Sequence, residues 1–283
     1  MPDPTTIPEP RSERAAAHPA APSTLVSLRD VHKRFGRQRV LAGLDLDVPE
    51  GRCTVILGPS GCGKSVTLKH ISGLLAPDAG EVWFDGVRVD RYSERQWREV
   101  RLQIGFVFQM SALFDSMSVA DNLAFPMIEH TRMPRAQRNE RIDEALSVVD
   151  LEGVREKLPS ELSGGQRKRV ALARAIVLKP RLMLYDEPTT GLDPVRADGI
   201  DQLVRKLQRT LGVTSIVVTH DLSSAEKVGD EIVMLLDGKA AARGSLAQLK
   251  RSTDPRVAHF LAGRYHREDD LPEALGGAAG DQD

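Results

Sequence analysis

Four short apolar runs stand out along the chain, at residues 53–57, 182–185, 215–218 and 232–236. They lack the polar alternation of a half-wetted strand, so each is expected to be a strand buried on both faces of a parallel sheet. Turns and helix-compatible stretches separate them, the pattern of a mainly parallel sheet covered by helices. Ahead of them, residues 24–28 and 39–46 read as strands of an antiparallel sheet. From about 111 to 167 the texture changes. Ile142, Ala145, Leu146 and Val149 recur at helical spacing and no buried-strand run interrupts them, which predicts a helical subdomain inserted into the α/β core.

Composition narrows the picture. The chain has 283 residues, enough for one large α/β domain with such an insertion. Residues 1–24 are polar and Ala/Pro-rich and read as a disordered leader; 264–283, acidic and then Gly/Ala-rich, read as a disordered tail. The domain proper is expected over 25–263. With 39 Lys plus Arg against 40 Asp plus Glu and a net charge of −1, no global field favours nucleic acid. Arg95, Arg98 and Arg101 with Trp97 make only a small basic patch. Two cysteines, Cys53 and Cys62, give no disulfide framework and suit a reducing cytoplasm. No apolar run approaches the roughly 18 residues that would cross a bilayer, and the charges and prolines of residues 1–23 do not read as a secretory signal. A membrane role would require a partner that holds the chain there.

The first buried run ends at Gly58-Pro59-Ser60-Gly61-Cys62-Gly63-Lys64-Ser65. Glycines let successive backbone N–H groups curl around a polyphosphate, and the following helix presents its N-terminus to the same anion. Lys64 would reach the β- and γ-phosphates, and the Ser65 hydroxyl would bind Mg²⁺. Strand before and helix after is the context this loop needs. Cys62 beside the phosphates could be an activated thiolate, but this position accommodates many small residues. There is one such loop, hence no internal duplication. After the run at 182–185 come Asp186 and Glu187. The end of a buried strand is where α/β sheets place ligand groups; Asp186 would hold Mg²⁺ through water and Glu187 would polarise the attacking water as general base. Pro188 and the preceding apolar run disfavour a solvated loop acid.

Taken in order from about residue 25 to 236, these motifs resemble those of ABC-transporter ATPase subunits. The resemblance implies an α/β P-loop NTPase fold of ABC type, with a mainly parallel sheet, an antiparallel β subdomain and the helical insertion. It implies ATP and Mg²⁺ as cofactors. Phe35 falls where the family stacks an aromatic, often Tyr, on adenine. Gln109, after Ile104-Gly105-Phe106-Val107-Phe108, matches the Q-loop, whose amide helps bind Mg²⁺ and senses the γ-phosphate. Leu162-Ser163-Gly164-Gly165-Gln166 matches the signature, where Ser163 and the Gly164 and Gly165 amides meet the γ-phosphate of the opposite subunit. Gly191-Leu192-Asp193 matches the D-loop at the dimer seam, and Asp193 before Pro194 also reads as an N-cap and first helical position. His220, after Ile216-Val217-Val218-Thr219, matches the switch histidine. The catalytic set implied is Glu187, His220, Gln109 and Lys64, in a homodimer closed around two nucleotides.

Two stretches are more particular. Residues 111–127 and 254–263 resemble the ATPase of the Mla, or Mce-associated, lipid transporters. That family implies a small integral-membrane permease, a periplasmic lipid-binding MCE protein, phospholipid as cargo, and a cytoplasmic chain peripheral on the inner membrane. Leu113, Phe114 and Phe125 are expected to line a groove for a permease helix, unless they pack the subdomain itself. Val257, Phe260 and Leu261 suit a short docking helix. A small-solute importer, such as one for polar amino acids, would share every catalytic motif. A soluble ABC protein acting on nucleic acid would call for tandem modules or a basic stripe, which are not visible.

Overall fold

A computed structural model describes residues 23–263. The expected leader, up to residue 22, and the expected tail lie outside the described residues. The chain enters as two long antiparallel strands, Thr24–Phe35 (β1) and Gln38–Pro49 (β2), and continues through Cys53–Leu57 (β3), Lys64–Ile71 (α1), Ala79–Phe84 (β4), Val87–Arg88 (β5), Glu94–Arg101 (α2) and Ile104–Val107 (β6). A purely helical stretch follows: Val119–His130 (α3), Arg135–Val148 (α4), a single 3₁₀ turn and Gly164–Ile176 (α5). Strand and helix then alternate as Leu182–Asp186 (β7), Pro194–Leu211 (α6), Thr214–Thr219 (β8), Leu222–Val228 (α7), Glu231–Leu236 (β9), Lys239–Gly244 (β10), Leu246–Leu249 (α8) and Pro255–Leu261 (α9).

The strands make two sheets. The smaller is antiparallel in the order β2-β1-β4-β5; the larger runs β10-β9-β3-β8-β7-β6 and is parallel except at its β10 edge. All four apolar runs became strands of the larger sheet. Its pleat divides them between two cores. Val55, Tyr185, Val217 and Met234 face the layer of α3 to α7, while Ile56, Leu184, Ile216 and Val233 face the antiparallel sheet with α1 and α2. Apolar side chains on both faces of each strand are what two covering layers require.

Helix α4 buries Ile142, Ala145 and Leu146 in the first core, joined by Val149 just beyond its end. Helix α3 starts at Ser118, whose hydroxyl accepts the Asp121 amide. The apolar groups expected to form an open groove are partly spent on packing. Leu113 lies against the core, and the Phe114 and Phe125 rings meet at 4.9 Å, leaving Phe114 exposed. The C-terminal helix α9 docks on its own chain, with Val257 buried and Phe260 and Leu261 packed beside it.

Candidate functional site

The loop from Gly58 to Gly63 joins β3 to α1 and tolerates no side chain at either end. A Cβ on Gly58 would lie 2.4 Å from the Leu235 carbonyl oxygen. Gly63 has φ of 108°, and its Cβ would lie 2.8 Å from a Leu41 methyl. Left-handed backbone of this kind is comfortable only for glycine. The turn leaves the first amides of α1 pointing into a cleft, the arrangement that receives anions. Lys64 is buried, and its Nζ donates to the carbonyls of Gly58 (2.8 Å) and Pro59 (2.9 Å). Burial pushes the Cys62 thiol up, against the opposing pull of Lys64, the opposite of the shift an activated thiolate needs.

Across the cleft, the C-terminal end of β7 supplies two carboxylates with different environments. Asp186 Oδ1 accepts the Ser65 hydroxyl at 2.8 Å. Burial raises the Asp186 pKa, and the Ser65 bond acts the other way. Glu187 turns away from the strand with φ of 48°, a left-handed conformation uncommon for a non-glycine residue. Its amide still donates to Val218 at 3.0 Å, which ties it to β8. Glu187 Oε1 is 3.6 Å from Lys64 Nζ and 3.0 Å from His220 Nδ1; Oε2 accepts the Thr190 hydroxyl at 3.0 Å. Gln109 follows the end of β6, and its carbonyl accepts Lys168 Nζ at 2.7 Å. Lys168 is buried, which lowers its pKa, while the nearby Glu187 and Asp186 charges oppose that shift.

Phe35, Ser60, Lys64, Gln109, Glu187 and His220 thus share one cleft of ≈ 370 Å³. Phe35, 48% exposed at the end of β1, presents its ring to that cleft, with Lys33 Nζ 5.7 Å from its centroid. Ser163, Gly164, Gly165, Gln166 and Asp193 do not line it. Ser163 caps α5 in a reciprocal box with Gln166, donating its amide to Gln166 Oε1 (2.9 Å) and accepting the Gln166 amide (3.3 Å). Asp193 caps α6 by accepting the Arg196 amide at 3.0 Å, with Pro194 first in the helix. Gly164 lies beside Leu192, and neither residue lines the cleft.

The cleft's donors fit a magnesium-bound nucleotide. A loop closed to a Cβ at Gly58 and Gly63, a buried lysine and a hydroxyl already paired to an acidic strand end are the parts needed to bind phosphate and a hard cation. Sequence reading passed over Lys168 and Thr190. Thr190 lies three residues beyond Glu187, but Lys168 is 59 positions from the carbonyl it holds, and no local spacing marks it.

A family model described as ABC transporter matches residues 41–190. The intermembrane phospholipid transport system ATP-binding protein MlaF of Escherichia coli K12 is 41% identical over 241 residues, covering 85% of this chain and 90% of that protein. MlaF of Haemophilus influenzae is 42% identical over 239 residues, 84% of this chain and 90% of its own. Among solved structures, the ATP-binding cassette MJ0796, in a dimeric post-hydrolysis state bound to ADP and Pi, superposes with a TM-score of 0.72 at 36% identity, over 78% of this chain and 99% of that one. The chain therefore belongs to the ABC transporter family, as an ATP-binding, ATP-hydrolysing subunit.

Proposed function

We propose that this chain is the ATPase of a phospholipid transporter, working as a homodimer on the cytoplasmic face of the inner membrane beneath an integral-membrane permease, with an MCE-type lipid-binding protein in the same complex. The observation that carries the cargo is the 41% identity to MlaF over 85% of the chain. No helix among the described residues is long and apolar enough to cross a membrane, in keeping with attachment through a partner.

Each ATP would be held by the phosphate loop of one copy and capped by the signature of the other. The separation of Ser163 from the chain's own cleft supports this division. Phe35 stacks on the base; Lys64, released from the Gly58 and Pro59 carbonyls, takes the β- and γ-phosphates. Ser65, Gln109 and Asp186 would hold Mg²⁺. The cation, when bound, neutralises charge developing on the phosphate oxygens. Glu187 accepts the proton of the attacking water, and His220 fixes the orientation of that carboxylate and contacts the γ-phosphate. Asp193 stands at the seam between copies. Cleavage removes the group that bridges the copies, and the dimer opens.

A groove of ≈ 650 Å³ lined by Arg95, Arg98, Phe106, Pro126, His130 and Arg174 is the surface we assign to a permease helix. Affinity isolation of the full chain from membranes, with identification of co-purifying proteins and lipid, tests the assignment. A permease, an MCE protein and phospholipid are expected. A periplasmic amino-acid receptor without an MCE protein would overturn the cargo and leave the ATPase chemistry intact.

A further inference from the structure

The segment leaving Gln109 is held by two cations of a single helix. Lys168 Nζ donates to the Gln109 carbonyl at 2.7 Å, and Arg174 Nη2 donates to the Ser111 carbonyl at 3.3 Å. Both rise from α5, the helix that Ser163 caps. Lys168 is buried and Arg174 is half-buried. Between the two carbonyls lies Met110, 87% exposed and without packing of its own. Beyond it, Ser111 and Ala112 are consecutive left-handed residues, φ 64° and 48°. Two such non-glycine residues in a row persist only where surrounding contacts over-determine them. Here the contacts are the Arg174 bond, the Ser111 amide on the Phe108 carbonyl (2.9 Å), and Asn122, whose carboxamide clamps both amide and carbonyl of Phe114. Arg174 also lies 5.8 Å from the Phe114 ring and lines the groove next to α2 and β6.

We propose that Lys168 and Arg174 are positioning residues: through the Gln109 and Ser111 carbonyls, the signature helix sets where the Gln109 carboxamide stands in the chain's own cleft. The inference rests on the reading of Gln109 as a ligand of Mg²⁺ and the γ-phosphate. Lys168 also lies near the Glu187 and Asp186 charges, and the cycle with Gln109 separates the tether from that influence.

The test is a double-mutant cycle on the full chain, reading ATP turnover against ATP and free Mg²⁺ and, separately, equilibrium Mg²⁺ binding to the nucleotide-loaded chain by calorimetry, where Lys168→Met should weaken Mg²⁺ and Lys168→Arg should restore it. Lys168→Met keeps the aliphatic stem and removes the donor; it is expected to lower kcat about tenfold and raise the Mg²⁺ half-saturation, with the KM for ATP within about threefold. Lys168→Arg, which keeps a donor, should recover turnover to within about threefold of wild type. In a Gln109→Ala background, Lys168→Met should add less than about a twofold change. Arg174→Met runs the same cycle from the far end of the helix, so a poorly folding Lys168→Met leaves the question decidable. Additive losses in the double variants, no rescue by Lys168→Arg, or wild-type turnover in both single cation variants overturn the tether while the role of Gln109 stands. Wild-type turnover in Gln109→Ala alone overturns the reading of Gln109, and the tether with it.

Discussion

His220 Nδ1 lies 3.0 Å from one oxygen of Glu187 and 2.9 Å from the other, so the imidazole straddles the carboxylate. With Thr190 on Oε2, the group is oriented from two sides before any water arrives. Glu187→Gln preserves the shape and removes the base. Turnover should fall by about 10²–10⁴-fold, the usual worth of a positioned base, while ATP still binds and the nucleotide-bound dimer accumulates. Steady-state ATPase and size-exclusion chromatography with ATP read the two effects; undiminished turnover would exclude Glu187 as base.

Phe35→Ala should act on binding. Base stacking on an aromatic is worth about 1–3 kcal/mol, so the KM for ATP should rise between about 5- and 150-fold with kcat little changed. Phe35→Tyr should behave as wild type. A variant with unaltered KM would mean that the ring meets something other than adenine.

Division of the site between copies predicts complementation. Lys64→Ala and Ser163→Ala chains should each be nearly inactive alone. Mixed, they form dimers in which one site is doubly damaged and the other whole, so about a quarter of wild-type turnover should return. Ser163→Ala also loses its cap, about 1 kcal/mol at the start of α5, which a melting curve detects separately. Absence of any recovery on mixing would refute the shared site.

A fourth prediction concerns pH. Asp201 on α6 is buried and accepts the Ser224 hydroxyl of α7 at 2.9 Å. Burial pushes its pKa up to about 6, against the Ser224 bond. The folded chain therefore holds this proton more tightly than the unfolded one, where aspartate titrates near about 3.9. The stabilisation is complete below the unfolded value and is lost as pH rises through the folded one. Asp201→Asn should thus be more stable than wild type at about pH 7.5, by on the order of 2–3 kcal/mol, and should lose that advantage near pH 4. A difference in melting temperature that ignores pH would contradict this.

Much of this was legible in the residues. Strands β3, β7, β8 and β9 are apolar on both faces because both faces are covered, and so they announce themselves. Strand β10, Lys-Ala-Ala-Ala-Arg-Gly, pairs on one side only and keeps half-exposed small residues, which carry no strand signal. Strand β1 runs on through His32 to Phe35 past the point where apolar residues end, because that part is only partly covered. The residues that share the cleft were readable since each belongs to a short motif of fixed spacing. Lys168 was not, because its partner is near only after the helical insertion folds onto the sheet.

At position 187 the backbone itself would favour glycine or asparagine. A directed-evolution campaign that rewarded heat resistance alone would be expected to drift there, gaining robustness and surrendering catalysis. Sorting such a library on fuel consumption as well should hold glutamate in place, as its proposed role as base requires.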